Sequence, residues 1–229
     1  MVEVTFKFLK DSLFETKDNI YAPDEGLKVI CPQNGYLVVY DLNNAGNNPF
    51  EYSNDVVLAE KKRLFGRPNT GKYKIYSVSN GFIFTKGCTT KMGFDVTYSG
   101  VSIDIVISFD YSFGVARGRF FQFRSFVDSH SIGSESNGDK YKEYLNPFVE
   151  KAIKKIVGDE LRIKPIEDVE THIVNLSNQI KDILNSNQTE LYDFGLEIKS
   201  FTMNIVDDYE HRQEKKKVEH DSALTNRRP

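Results

Sequence analysis

The sequence predicts an α+β fold in which a β-rich half with antiparallel strands precedes two helices, a strand and a short charged tail. Apolar and polar side chains alternate in the first half, most clearly in "VSIDIVISFDYSF" at 101–113. Such a period of two is typical of a strand with one buried face. From about residue 140 the apolar residues recur at intervals of three and four, which is the period of a helix packed on one side.

Composition narrows the class of protein. The chain has 229 residues and a net charge of −3, so it is long enough to bury a core, and its overall field disfavours nucleic acid as a partner. Cys31 and Cys88 form no CxxC pair, which favours two reduced thiols over a zinc site or a disulfide framework. No apolar run approaches the ~18 residues that a bilayer span requires. We therefore expect a cytoplasmic protein without a transmembrane segment.

Strands are expected throughout the first hundred residues. Asn34-Gly35 separates two apolar runs in "LKVICPQNGYLVVYDL", which predicts a tight hairpin. "KYKIYSV" alternates again, and "FDVTYSG" leads through Ser99-Gly100 into the strand at 101–113, which predicts a second hairpin. The expected division is an N-terminal β extension over 1–34, a domain over 35–208, and a charged helical or flexible tail over 209–229.

Two helices are expected in the second half. Pro147 marks either a first helical turn, with Asn146 as its cap, or a kink within a longer helix. The second helix follows Pro165 and spans about 166–191, with Gly195 as a left-handed cap. Its apolar stripe consists of Ile166, Val169, Ile173, Leu176, Ile180, Ile183 and Leu191.

The last predicted strand has an irregular apolar phase. In "LEIKSFTMNI" the apolar positions shift from Leu196 and Ile198 to Phe201, Met203 and Ile205. The shift indicates either a β-bulge or a strand that is buried on both faces.

One motif approaches a nucleotide-binding loop. "GRPNTGKY", Gly66 to Tyr73, satisfies GxxxxGK but has Tyr73 where a magnesium-binding Ser or Thr is needed. A phosphate loop must also open a helix, whereas "KYKIYSV" has the period of a strand. A surface turn is therefore favoured, with a nucleotide-binding enzyme as the alternative.

Other candidate chemical groups do not form a recognisable pattern. His130, His172, His211 and His220 lack the spacing of metal ligands, and no GxSxG sequence occurs. Asp104 and Asp110 fall on the polar side of the predicted strand, so solvated carboxylates are favoured over catalytic acids at these positions and at Asp128. No catalytic residue, metal ligand or cofactor is predicted.

A local basic cluster is the one candidate surface contact. Its cations flank two apolar side chains, a combination that inserts the apolar groups into a membrane while the cations contact anionic headgroups. A solvated loop is the favoured alternative. The cluster consists of Lys61, Lys62, Arg63, Leu64, Phe65 and Arg67.

The order of elements in the second half resembles the SPFH domain (stomatin, prohibitin, flotillin; Band 7). A strand ending in "FDYSF" precedes a helix, then a helix ending in "YDFG" at 192–195, then the strand "LEIKSFTMNI". Upstream, "FTKGCTTKMGFDVTYSG" is similar to the soluble, virion-core-protein-like bacterial branch of that family. The resemblance covers about residues 35–210. The usual member begins with a membrane-inserting hydrophobic segment and ends with a long coiled coil, and neither is expected from the residues at 1–34 and 209–229.

The resemblance implies a scaffold and no enzyme. Members of the family form oligomers that organise membrane microdomains or regulate membrane proteases. We therefore expect a homo-oligomer that docks on a membrane-associated protein partner and lies in the cytoplasm or at the membrane periphery. The alternatives are a structural subunit of a phage or other particle and, from another class, the nucleotide-binding enzyme.

Overall fold

The computed structural model describes residues 1–7, 12–23, 26–43, 49–58, 71–96, 101–133 and 138–206. The expected order of a β-rich half, helices and a last strand is confirmed within these ranges. The strands are β1 (Val2–Val4), β2 (Phe14–Tyr21), β3 (Leu27–Val29), β4 (Gly35–Asp41), β5 (Phe50–Tyr52), β6 (Val56–Leu58), β7 (Lys72–Ser79), β8 (Ile83–Val96), β9 (Val101–Val115) and β10 (Leu196–Val206). The helices are α1 (Phe120–Ser129), α2 (Gly138–Leu161), α3 (Ile166–Thr171), α4 (Ile173–Leu184) and α5 (Glu190–Asp193).

The described strands form three sheets, in the orders β1-β3-β6, β2-β7-β4-β5 and β10-β9-β8. All pairs are antiparallel except β1 with β3. β2 pairs with β7 and β3 with β6, so strands from 1–34 are hydrogen-bonded to strands from 35–79. The expected boundary at residue 34 therefore crosses two sheets, and the division of the chain into domains stays a prediction.

One of the two expected hairpins is present. β8 and β9 pair with Val96 opposite Val101, as predicted, and the connecting residues 97–100 lie outside the described ranges. The hairpin expected at Asn34-Gly35 is wrong, because β3 and β4 belong to different sheets. The chain turns there from one sheet into another. Alternation identified both strands correctly but carries no information about which strand each one pairs with.

The predicted faces of β9 are confirmed where its side chains are described. Ile105, Ile107, Phe109, Tyr111 and Phe113 are buried, with none more than 2% exposed. On the other face Asp104 and Asp110 are exposed. Ser112 is the exception on that face: it is buried, and its hydroxyl lies 2.6 Å from that of Ser200 on β10.

The irregular phase of β10 comes from a β-bulge. The register with β9 shifts between Ile198 and Ser200, while Leu196, Ile198, Phe201 and Met203 are all buried. The extra residue turns the strand so that one face stays in the core on both sides of the bulge. Of the two interpretations from the sequence, the bulge is correct.

The helices differ more from the expectation. Pro147 lies inside α2, which favours the longer helix over the first-turn alternative. The single helix over 166–191 is wrong: α3 ends at Thr171, whose hydroxyl donates to the Asp168 carbonyl, and α4 ends at Leu184. The apolar stripe nevertheless faces the core across these breaks, since Val169, Leu176, Ile180 and Leu191 are buried.

Helix α1 was not predicted, although it joins the two halves of the fold. Its aromatic residues at Phe120, Phe123 and Phe126 recur every third position and are buried. The Phe123 ring meets Phe14 of β2 edge-on at 5.6 Å, and the Phe120 ring meets Tyr76 of β7 at 5.0 Å. The main core therefore extends from the β10-β9-β8 sheet and its helices to β2, β4 and β7.

Candidate functional site

The basic cluster of Lys61, Lys62, Arg63, Leu64, Phe65 and Arg67 lies outside the described residues, so its role as a surface contact stays a prediction. The end of "GRPNTGKY" is described. Lys72 and Tyr73 begin β7, as the strand pattern predicted, and Lys72 Nζ lies 5.9 Å from the centre of the Tyr21 ring. The lysine of a phosphate loop would instead lie at the start of a helix.

The candidate acids have structural partners. Asp104 lies 3.3 Å from Lys91, and Asp128 lies 3.4 Å from Arg124. Asp110 accepts a hydrogen bond of 2.7 Å from the Gly87 amide. Each of the three carboxylates thus has a nearby cation or backbone amide as its partner, as expected of a structural rather than a catalytic acid.

The histidines and thiols have ordinary surroundings. His130 and His172 place Nδ1 within 2.9 Å and 2.8 Å of backbone carbonyls one helical turn earlier, while His211 and His220 lie outside the described residues. Burial raises the pKa of the Cys31 and Cys88 thiols, which disfavours the nucleophilic thiolate. No group of His, Cys, Asp and Glu within the described ranges has the arrangement of a metal site.

The β10-β9-β8 sheet exposes the face opposite its helices. Thr89, Ser108 and Asn204 form a polar row across the three strands, and Lys91, Val106 and Val206 form the next row. Thr89, Lys91, Asn204 and Val206 are exposed, so no described element covers these positions. This outer face is solvated and carries polar and apolar side chains, the latter including Phe84 and Val206. The edges of the sheet are the places where another chain can add a strand.

The β8 edge carries features that disfavour strand addition. Its register with β9 shifts between Thr85 and Cys88, and Gly87 adopts a φ of +66° that the Asp110 carboxylate stabilises. Lys86 and Lys91 place charge on the same strand. Bulges and lysines are the usual means by which edge strands avoid pairing with other chains.

The β10 edge is divided into a covered part and an open part. At the bulge, the Asn185 side chain donates a 2.9 Å hydrogen bond to the Ile198 carbonyl and accepts one of 2.8 Å from the Ile198 amide. The amide side chain thus replaces a neighbouring strand at this residue. Glu197 and Lys199 form a 2.8 Å ion pair beside it.

Beyond the bulge, Ser200–Val206 has a regular register with β9 and contains no charged residue. None of the strands in the described part of the chain pairs with its outer edge. We call this segment the open β10 edge. Its unpaired backbone groups can accept an added strand, and no bulge or lysine opposes that pairing.

Sequence reasoning located β10 and its bulge but not the open edge. The absence of charge from "SFTMNIV" was the available signal, yet only the sheet order places that segment at an edge.

No helix within the described ranges is long and apolar enough to cross a membrane. No protein-family model matches the chain, and no curated protein matches it.

Proposed function

We propose that the chain is a non-enzymatic assembly module of the SPFH type, which forms a homo-oligomer by pairing the open β10 edges of two copies. The observation that carries the proposal is the regular, uncharged outer edge of Ser200–Val206. Strand addition gains its affinity from main-chain hydrogen bonds and its specificity from alternate side chains.

A two-fold arrangement fits this edge best. Twofold dimers are the commonest closed assemblies, and their interface uses the same patch on both copies. When two copies of the segment run antiparallel about its middle residue, Met203, Thr202 of one copy faces Asn204 of the other. Both side chains are exposed on the outer face and uncharged, so the pairing brings no like charges together.

The family type is supported by the order of β9, α2, the broken helix α3–α5 and β10, which matches the order that the resemblance implied apart from the additional helix α1. Docking on a membrane-associated protein partner, as the resemblance implies, is part of the same proposal.

The proposal is tested by the mass of charge variants in solution. Thr202→Lys combined with Asn204→Lys places lysine opposite lysine across the paired edges, which is destabilising. Thr89→Lys is the matched control, because Thr89 occupies the same row as Asn204 but lies on β8, next to the natural Lys91.

Size-exclusion chromatography with light scattering measures the outcome at high micromolar concentration. We expect oligomers for the unmodified chain and for Thr89→Lys, and a monomer of unchanged circular dichroism for the double variant. A monomeric unmodified chain contradicts the assembly function. Oligomers in the double variant contradict the assignment to the β10 edge.

A further inference from the structure

A second candidate site, separate from the open β10 edge, is a cleft between α1 and the β2-β7-β4-β5 sheet that is lined by several polar side chains. Its volume is about 130 Å³. That is room for about four waters at ~30 Å³ each, and it is smaller than the pockets of drug-sized ligands. The lining includes the apolar residues Phe14, Phe120, Phe123 and Val127 and the polar residues Thr16, Lys74, Tyr76, Arg124 and Asp128.

Two buried hydroxyls line this cleft: that of Thr16 has no hydrogen-bond partner among the described residues, and that of Tyr76 is approached by the Lys74 ammonium group. Thr16 and Tyr76 lie opposite each other on β2 and β7, and the oxygen of each side chain is buried and makes no hydrogen bond of ordinary geometry. Tyr76 as a whole is 3% exposed. Buried hydroxyls are rarely left unpaired, because each has lost its hydrogen bonds to water.

Two cations line the same cleft beside the Tyr76 ring. Lys74 Nζ lies 5.1 Å from the centre of the Tyr76 ring, and the Arg124 guanidinium carbon lies 5.6 Å from it and 4.5 Å from that of Tyr40. Burial raises the pKa of Tyr76, an increase that Lys74 and Arg124 partly offset. Burial lowers the pKa of Lys74, but its contacts with Tyr76 and Asp18 outweigh this effect and leave the pKa above its usual value. The lysine is therefore charged at neutral pH.

The two cations are less exposed than the carboxylates that pair with them, one of which, Asp128, also lines the cleft. Asp18 lies 3.1 Å from Lys74 and Asp128 lies 3.4 Å from Arg124, which balances the formal charge. The side chains of Lys74 and Arg124 are 23% and 29% exposed, whereas those of Asp18 and Asp128 are 52% and 59% exposed. Solvent screens the two carboxylates more than the two cations, so the interior of the cleft favours negative charge.

We propose that this cleft binds one small oxyanion, the carboxylate or phosphate group of a small molecule, between the Thr16 and Tyr76 hydroxyls and the Lys74 and Arg124 cations. The oxygens of such a group accept hydrogen bonds from both hydroxyls. They also accept charge-assisted bonds from the guanidinium and ammonium groups. The small volume of the cleft excludes larger ligands.

The test measures thermal unfolding of the full chain in sodium phosphate, in sodium acetate and in sodium chloride of equal ionic strength. The variants are Tyr76→Phe and Thr16→Val, which each remove one hydroxyl with little change of shape. Tyr21→Phe is the control, because Tyr21 is exposed and lies outside the cleft lining.

For the unmodified chain and Tyr21→Phe we expect the unfolding temperature to rise with phosphate or acetate to a plateau that chloride does not produce. The anion that gives the plateau distinguishes a phosphate from a carboxylate ligand. In Tyr76→Phe and Thr16→Val the half-maximal concentration should increase at least tenfold. In chloride, Thr16→Val should be as stable as the unmodified chain or more so, because it loses a buried hydroxyl that has no partner among the described residues.

Three outcomes overturn the proposal. One is the same response to all three salts. Another is an equal oxyanion response in all variants. The third is a clear loss of stability on Thr16→Val in chloride, which would show that the Thr16 hydroxyl already has a partner within the protein. If Tyr76→Phe does not fold, Thr16→Val alone reports on binding.

Discussion

Replacing Ile105 by alanine should cost far more stability than replacing its neighbour Asp104. Ile105 is 2% exposed and faces the main core from the middle of β9, opposite Met92 on β8. Removing such a buried side chain costs about 2–5 kcal/mol, from lost burial and from the cavity left behind. Asp104 is 65% exposed and its only described ion pair is with the equally solvated Lys91. Exposed pairs of this kind contribute about 0.2–1 kcal/mol.

Urea unfolding followed by far-ultraviolet circular dichroism measures both costs. With a slope of ~1–3 kcal/mol per molar urea, Ile105→Ala should lower the midpoint by about 1 M or more, and Asp104→Ala by a few tenths. The assay is run at a concentration where all variants have the same oligomeric state, because association adds to apparent stability. Equal midpoints for the two variants would refute the assignment of faces, and so would a larger loss at Asp104.

Three further predictions concern single contacts; the first two are measured by urea unfolding and the third by thermal unfolding. Gly195 and Gly87 both have a φ of +66°. A Cβ on Gly195 would lie 2.5 Å from the Arg119 carbonyl oxygen and from the Phe123 amide nitrogen. A Cβ on Gly87 would have none of the described atoms within 4 Å. Gly87→Ala should therefore cost only the strain, about 1–2 kcal/mol, and Gly195→Ala about 1–3 kcal/mol more in urea unfolding; equal costs would contradict the close approach. Asn185→Ala should cost about 1–3 kcal/mol, because it leaves the Ile198 amide and carbonyl without the bonds that the side chain supplies. The control is Asn187→Ala, because Asn187 is exposed. Its free energy of unfolding should lie within about 0.5 kcal/mol of that of the unmodified chain. A similar loss of stability in both variants would show that the Asn185 hydrogen bonds contribute little. Lys72→Ala should lower stability by no more than about 1 kcal/mol. Magnesium-ATP should not raise the unfolding temperature of the unmodified chain or of this variant. A rise in the unmodified chain that is lost in Lys72→Ala would support a nucleotide-binding loop.

Patterns with a short period predicted the elements that have one buried face. The alternation at 101–113 located β9 and its inner side, and the phase shift after Ile198 located the bulge in β10. Both features arise because the buried side chains must face one core, and both can be recognised from a few neighbouring residues in the sequence.

Features that depend on distant partners were not predictable in the same way. The break between α3 and α4 lies within a continuous apolar stripe, so the sequence pattern does not show it. Asn185 follows the last residue of α4, and its side chain is hydrogen-bonded to Ile198, thirteen residues later. Helix α1 was missed because its phenylalanines follow directly on a strand that is also aromatic. The sequence showed that Asn34-Gly35 makes a turn, but the sheet that receives β4 is fixed by long-range pairing.

The same distinction applies to the two candidate sites. The segment "SFTMNIV" reads as an ordinary buried strand until the sheet order places it at an edge. Thr16, Lys74, Tyr76 and Arg124 come from three separate elements, and nothing in their local sequence associates them.

Hydrogen–deuterium exchange of β10 at two protein concentrations tests the central claim of assembly through the open edge most directly. Amides of Ser200–Val206 that face away from β9 should exchange slowly at high micromolar concentration, where a second copy pairs with them, and faster on dilution. The amides of Cys88–Val96 on β8 should exchange at the same rate at both concentrations and serve as the internal control. Concentration-dependent protection of β8, or none in β10 when light scattering detects an oligomer, would contradict the account.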